Sequence, residues 1–379
     1  MIYLAFGILV LTILLTAHLL LGLQSIVWLG DWSEESDQLD RISVIVPARN
    51  EEKHVEAALT SLLEIDYPNI EFIAVNDRST DSTGEILNQM TAKYEQLRVV
   101  HIQDLPQGWL GKNNALQQAA RMASGQWLLF ADADISFDPS TLRRAINYVH
   151  HFQLDHLAVT PGIEMPGIGL KLFVVTFISM FCAYFKPWKA RDPNSSRYVG
   201  IGAFNLVRKS AYEKAGGHEA IRMRPDDDMM LGKIIKSAGF RQDTAHGVGV
   251  ITVPWYSSMR EAIVGLEKNA FSGVNYRVSI VVLGATALML THIWPFVALV
   301  LTRGWVQLAY ALTCLTLVGM SARIAYWMRI TPLVAIGHPI GVLMILYVQW
   351  RAMYLTLRND GIRWRDTHYS LAELKANQV

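Results

Sequence analysis

The sequence predicts an α/β fold: a doubly wound, mostly parallel sheet carried between transmembrane helices near the two ends of the chain. Three observations predict it. From Ile42 to His150, short β-branched or apolar runs alternate with amphipathic stretches. Two of those runs end directly in aspartates. The apolar excess of a chain that is 51% hydrophobic and 18% charged is concentrated in Ile2–Gly30 and Val278–Leu357.

The elements follow in order. Ile2–Leu29 is almost continuously apolar and exceeds the ~20 residues needed to span a bilayer. It lacks the basic start and cleavage site of a signal peptide, so it is read as a retained anchor over 1–30. Ile42–Val46 has the β-branched character of a buried parallel strand, and Pro47 ends it. Asn50-Glu51-Glu52 is expected to open a helix, acidic residues suiting the dipole there, with Val55, Ala58, Leu59, Leu62 and Leu63 on one face. Ile70–Val75, Arg98–Ile102 and Trp127–Ala131 read as further strands, with helices near Thr83–Tyr94 and Gly111–Ala123. Asp138-Pro139 is expected to cap and start a helix running to His150. Leu170–Phe185 is apolar but short for a span, and reads as a buried core helix or one lying at the interface. Val278–Thr302, Gly304–Met328 and Leu333–Leu357 are three further candidate spans, so the chain divides at 1–30, 41–277, 278–357 and a polar tail, 358–379.

Charge sets limits on function. A net charge of +1 provides no field that would recruit nucleic acid. Cys182 and Cys314 lie in apolar runs, without metal-ligand spacing or a disulfide framework. Lys268, Arg277, Arg323 and Arg329 place the 41–277 domain in the cytoplasm by the positive-inside rule. Arg351, Arg358, Arg363 and Arg365 ask for the same side, and four simple crossings cannot satisfy both groups.

In doubly wound sheets, ligands bind at the carboxyl ends of the strands. Asp77 follows the second strand, and Asp132 and Asp134 follow the fourth. Two carboxylates at i and i+2 of an extended segment face one side, and such hard oxygens suit Mg²⁺ or Mn²⁺ together with a diphosphate. His246 is a further candidate for that metal shell. Asp226-Asp227-Asp228 supplies crowded carboxylates, one of which can serve as a general base.

With these motifs in this order, Ile42–Gly273 resembles the family 2 inverting glycosyltransferases, with their A-type, Rossmann-like nucleotide-sugar-binding fold. Val44 to Glu52 resembles the family's opening strand and loop, which implies donor contacts for Pro47, Arg49 and Glu51. Val75 to Asp81 resembles the turn whose first aspartate, here Asp77, holds the uracil end. Gly108 to Leu116 resembles the segment whose lysine, Lys112, lies near the nucleotide. Asp132 and Asp134 match the D-x-D pair, Asp132 near ribose or metal and Asp134 on the metal. Gly200–Gly217 resembles the acceptor-side strand and helix, hence Gly202. Aligning Leu231-Gly232 with the family's terminal Leu-Gly places the catalytic base at Asp228 and the preceding acid at Asp227, with Asp227 as the alternative base in the other register.

The resemblance is closest to the membrane-bound ceramide- and hopanoid-associated glucosyltransferase-like group, and Gly361–Tyr369 resembles a tail common there. It implies transfer of a sugar from a UDP-linked donor to a lipid or lipid-linked acceptor by an enzyme of the cell (inner) membrane. Polymer-forming members carry Gln-x-x-Arg-Trp, where this chain has Lys268-Asn269. Trp255, Arg260 and Lys268 are retained as acceptor-side candidates. A polyprenyl-phosphate sugar transferase, a polysaccharide synthase and a non-catalytic membrane scaffold are the rival readings.

Overall fold

The structure, a computed structural model, describes residues 2–32, 39–364 and 367–377, so Arg365 lies outside the described residues. The chain folds as two compact units. One comprises Ile26–Glu164, Pro187–Trp255 and the chain end from Ala376. The other comprises Met1–Ser25, Met165–Lys186 and Tyr256–Lys375.

The first unit is built on strands β1 (Val27–Trp28), β2 (Ile42–Ala48), β3 (Ile70–Asp77), β4 (Leu97–Ile102), β5 (Trp127–Phe130), β6 (Ser136–Phe137), β7 (His156–Glu164), β8 (Asn205–Arg208) and β9 (Gln242–Pro254). They form one sheet in the order β1-β9-β7-β8-β5-β2-β3-β4, with β6 paired to β9. Strands β5, β2, β3 and β4 are parallel neighbours, as the β-α alternation predicts. Strand β8 runs antiparallel to both β5 and β7, which makes the sheet mixed. The sheet's apolar residues form the core: Ile42, Val44, Trp127, Leu129, Leu157 and Leu206 are fully buried. Each such side chain contributes about 1.5–3 kcal/mol of transfer free energy.

Helices α2 (Val55–Leu63), α3 (Thr83–Thr91), α4 (Gly111–Met122), α5 (Thr141–His151), α7 (Lys209–Lys214), α8 (Gly217–Ala220) and α9 (Asp227–Ser237) connect the strands. The face expected for α2 is buried as read, but the helix starts at Val55, because Asn50 takes a positive φ of 54° and cannot begin it. Helix α5 starts at Thr141 rather than Pro139, because the Asp138 carboxylate accepts from the Ser140 N–H and hydroxyl and forms a turn first. Strands β1, β7 and β9 were not foreseen. Strand β1 falls inside the stretch read as anchor: the helix stops at Gln24, and Val27–Trp28 pairs with Ala245–His246.

The second unit holds α1 (Ile2–Gln24), α6 (Gly167–Phe185), α10 (Met259–Ala270), α11 (Val278–Leu288), α12 (Trp294–Leu301), α13 (Gly304–Trp327), α14 (His338–Arg358) and the hairpin β10–β11 (Gly361–Trp364, Thr367–Ser370), followed by α15 (Leu371–Ala376). A π turn over Met289–Ile293 joins α11 to α12 before Pro295. Among the described residues, five helical stretches are long and apolar enough to cross a membrane: Ile2–Gln24, Gly167–Lys189, Val278–Leu301, Gly304–Trp327 and Pro332–Arg358. The second of these revises the expectation for Leu170–Phe185. The helix begins at Gly167, and the turn after it extends the apolar stretch to Lys189. His292 and His338 hydrogen-bond each other at 3.0 Å, and Ser321 meets His338 at 2.8 Å, so these buried polar groups satisfy one another.

Candidate active site

Parallel strands point their carboxyl ends the same way, and the acidic segments collect there. Asp77 is the last residue of β3, and Asp132 lies two residues beyond β5. Asp227 and Asp228 open α9, whose first turn favours acids. Pro47, Lys112, Asp132, Gly202, Asp227 and Asp228 line one pocket with Phe130, Asn205 and His218.

Lys112, on the first turn of α4, joins two motifs far apart in sequence. Its Nζ lies 2.8 Å from Asp132 Oδ1 and 3.3 Å from Asp227 Oδ2. Burial alone would discharge this lysine, but Asp132, Asp227 and Asp228 overrule it and hold the ammonium protonated.

The three consecutive aspartates take three different partners. Asp226 is held by the buried Arg224 guanidinium, with Nε–Oδ1 at 3.0 Å and Nη2–Oδ2 at 2.8 Å. That bidentate pair makes Asp226 a structural residue. Asp227 faces Lys112. Asp228 accepts from the Gly202 N–H at 2.9 Å through Oδ2 and from the Met229 N–H at 2.8 Å through Oδ1. Burial, and next the neighbouring Asp227, push the Asp228 carboxyl up to about 7, while Lys112 pulls the other way. A group poised there can take a proton near neutrality. Gly202 permits this approach: a Cβ at that position would lie 2.8 Å from Asp132 Oδ2 and 3.5 Å from Asp228 Oδ2.

Asp134 lies next to the same cluster. Burial pushes its carboxyl up to about 6, and the charges of Asp132 and Glu51 add to that. Glu51 is fixed through its backbone N–H, which donates to Thr83 Oγ1 at 2.8 Å. Among the described residues, no group of three or more His, Cys, Asp or Glu side chains is arranged to hold a metal unaided. A site that supplies two carboxylates and takes its other ligands from a diphosphate and water matches the chemistry of Mg²⁺ or Mn²⁺. The raised carboxyls are the charge crowding that such an ion relieves.

Asp77 has a different setting. Arg78 contacts it twice, Nε–Oδ1 at 2.7 Å and Nη2–Oδ2 at 3.1 Å, and Arg49 Nη1 lies 3.8 Å from Oδ2. The pairing brings Arg49 and Asp77 together, as the resemblance implies; the sequence reading passed over Arg78, although it stands next in the motif.

One acceptor-side candidate of this unit, Trp255, is not among the residues lining the pocket. Trp255 packs against the hydrophobic core of the sheet. Arg260 and Lys268 belong to α10 in the other unit, where Arg260 is exposed and Lys268 Nζ sits 4.0 Å over the Trp364 ring. His246 pairs with Thr160 at 3.2 Å and packs on Trp28. His218 was not assigned a role from sequence, yet it lines the pocket; its Nδ1 lies 2.8 Å from Tyr212 OH, and burial pushes it down to about 3.

Comparison with known proteins gives three results. Residues 43–216 match the model of glycosyl transferase family 2. A Bacillus subtilis protein described as probable glycosyltransferase YdaM is 35% identical over 207 residues, 53% of this chain and 48% of its own. The chain therefore spans about half the length of that relative. The 4,4'-diaponeurosporenoate glycosyltransferase of Staphylococcus aureus is 21% identical over 343 residues, 88% of this chain and 89% of its own. Among solved structures, the mannosyltransferase PcManGT of Pyrobaculum calidifontis, in complex with GDP-Man and Mn²⁺, superposes with a TM-score of 0.55. It covers 94% of this chain and 98% of its own at 17% identity, a likeness of fold.

Proposed function

We propose, from the match of residues 43–216 to the glycosyl transferase family 2 model, that the chain is a membrane-bound inverting glycosyltransferase that moves a sugar from a UDP-linked donor to a lipid or lipid-linked acceptor. One observation carries the reading: Asp228, cradled by two backbone N–H groups, beside Lys112 and the Asp132 carboxylate. Asp77 and Arg49 orient the nucleotide. Asp132 and Asp134 would hold a divalent ion, which neutralises charge on the leaving diphosphate when bound. Lys112 keeps Asp132 and Asp227 in place. Asp228 takes the acceptor hydroxyl proton as that oxygen attacks the anomeric carbon opposite the diphosphate, so no covalent enzyme intermediate forms. Trp255, Arg260 and Lys268 remain candidates for seating the acceptor.

Chain connectivity supports a membrane topology. Helix α6 leaves β7 and returns to β8, and these two strands pair in one sheet. A single crossing would place them on opposite sides of the bilayer, so α6 lies in the interface or re-enters. At the other end, Asn377 bonds Ala220 O and Met223 N of the first unit. The chain between Trp255 and Asn377 therefore crosses an even number of times. Helix α14 packs along α6 and binds α10 through Gln349 and Arg351, which favours it as the non-crossing one. On this reading α1, α11–α12 and α13 cross, and Lys268, Arg277, Arg323, Arg329, Arg351, Arg358 and Arg363 share one side, the cytoplasmic one by the positive-inside rule.

A second reading is favoured by the Staphylococcus aureus relative, named for an acceptor whose own name is that of a carboxylate. An acceptor that arrives ionised, such as a carboxylate or a polyprenyl phosphate, needs no base. The test is UDP or GDP release by the detergent-purified chain with Mg²⁺ or Mn²⁺, UDP-glucose, UDP-N-acetylglucosamine or GDP-mannose, and a membrane lipid extract. Lipid-stimulated release that Asp134→Ala abolishes is expected. Release that Asp228→Asn leaves intact would select the ionised acceptor, and none with any donor would overturn the proposal.

A further inference from the structure

Three neighbouring strands each contribute a buried polar side chain to one cluster: His156 on β7, Asn205 on β8, which also lines the pocket, and Gln242 on β9, exposed by 0%, 2% and 1%. His156 stands opposite Gln242 in the β7–β9 register, and Asn205 stands opposite Ala158, two residues from His156 and so on the same face. Their hydrogen bonds form one chain with one consistent direction. The Val199 N–H donates to Gln242 Oε1 at 2.9 Å. Gln242 Nε2 donates to His156 Nδ1 at 2.6 Å and to Gly232 O at 3.0 Å. His156 Nε2–H then donates to Asn205 Oδ1, and Asn205 Nδ2 donates to Asp228 O at 3.4 Å. The chain requires a neutral histidine with its proton on Nε2. Burial supplies that state, pushing His156 down to about 4.

The backbone groups at the ends of this chain belong to two segments that must meet closely. A Cβ on Gly200 would collide with Asp228 O, and one on Gly232 would collide with Val199 O. Residues 199–202 therefore run against the first turns of α9, backbone on backbone. The same contact sets the bond from the Gly202 N–H to Asp228 Oδ2. An apolar trio could fill this volume, but it could not tie Val199, Gly232 and Asp228 to one another.

We propose that His156, Asn205 and Gln242 are positioning residues that fix the register of residues 199–202 against α9 and thereby hold the Asp228 carboxylate where it takes the proton of the attacking acceptor hydroxyl. The proposal rests on the reading of Asp228 as base. Donor binding, which uses Asp77 and the D-x-D pair, does not depend on it. A carboxylate displaced by about 1 Å costs on the order of 100-fold in rate.

The test measures kcat and donor KM for lipid transfer, and donor hydrolysis without lipid, in the full chain with the donor active in the panel above. His156→Leu and Gln242→Met are expected to lower transfer kcat about 10–100-fold with donor KM within about threefold and hydrolysis retained. Wild-type transfer kcat in either folded variant overturns the proposal. So does a parallel loss of donor binding, which marks general damage. If the apolar variants do not fold, Gln242→Glu decides. It keeps the acceptor for Val199 but loses donation to Gly232 O, so a several-fold lower transfer kcat at unchanged KM is expected, and an unchanged kcat overturns the proposal. Asp228→Asn runs beside them: if it transfers at the wild-type rate, the base reading fails, whatever the network variants do.

Discussion

The two acidic ends of the sheet differ in how their charge is balanced. At Asp77, one carboxylate meets two guanidiniums, Arg78 and Arg49. Around Asp228, Lys112 pairs with Asp132 and Asp227, and its charge also acts on Asp134 and Asp228. The first is a completed piece of structure. The second is short of positive charge, and the shortage appears as raised carboxyls at Asp134 and Asp228. A site that stores uncompensated charge is tuned for a ligand that brings a cation, and it costs stability when empty.

The strongest way to break this comparison is Asp228→Asn. Transfer to a hydroxyl acceptor should fall by about 10²–10⁴-fold. Thermal stability should rise by on the order of 1 kcal/mol, because an isosteric neutral group removes repulsion from Asp227. The sign follows from the raised carboxyl. The stability due to a protonated Asp228 is fully present below 3.8 and is lost as pH rises through about 7. The melting-temperature gap between the Asp228→Asn variant and wild type should therefore widen from pH 5 to pH 8. In the wild type, transfer kcat should climb over the same range and level off above about 7.

Asp134→Asn comes next. Metal-stimulated release should be lost. The stability gained should appear at lower pH than for Asp228, since this carboxyl titrates near 6. Unchanged Mn²⁺ stimulation in this variant would remove the metal from the account.

Asp77→Ala should behave in the opposite way, and so sharpens the contrast. It removes the carboxylate that Arg78 and Arg49 share, so stability should fall by about 1–3 kcal/mol. Donor KM should rise about tenfold or more while kcat changes less. A stability gain at Asp77 would show that the two ends do not differ.

The smallest effect is an acid limb. His156 and His218 are buried neutral, with values pushed down to about 4 and about 3. Below pH 6.5 the unfolded chain binds protons that these rings cannot, so the two histidines subtract stability as pH drops from 6.5 towards 4, against the gain from protonating Asp228 and Asp134. Urea midpoints of wild type and Gln242→Glu would check it. The glutamate gives His156 a counter-charge, so the limb should become shallower in that variant.

Much of the sheet was legible. Ile42–Val46, Ile70–Val75, Arg98–Ile102 and Trp127–Ala131 are short apolar runs followed by turn and helix signals, and each is a strand. Strand β8 was recognised only through resemblance, while β7 and β9 open on polar residues, His156 in one and Gln242, Asp243 and Thr244 in the other, and gave no clean apolar pattern. Helix α6 read as short because Gly167-Ile168-Gly169 looks like a loop, although the helix begins there.

Chain direction and local chemistry determined where the acids gather. A carboxylate placed just after a parallel strand lies at the ligand-binding edge whatever the rest of the fold does. Which carboxylate does what was decided only in three dimensions. Asp226, Asp227 and Asp228 are nearly equivalent in sequence, yet Arg224 takes the first, Lys112 the second, and the Gly202 and Met229 N–H groups the third. Electrostatic and hydrogen-bond energies depend on distances of a few ångströms, and packing brings Lys112 and Gly202 to these aspartates across long stretches of chain.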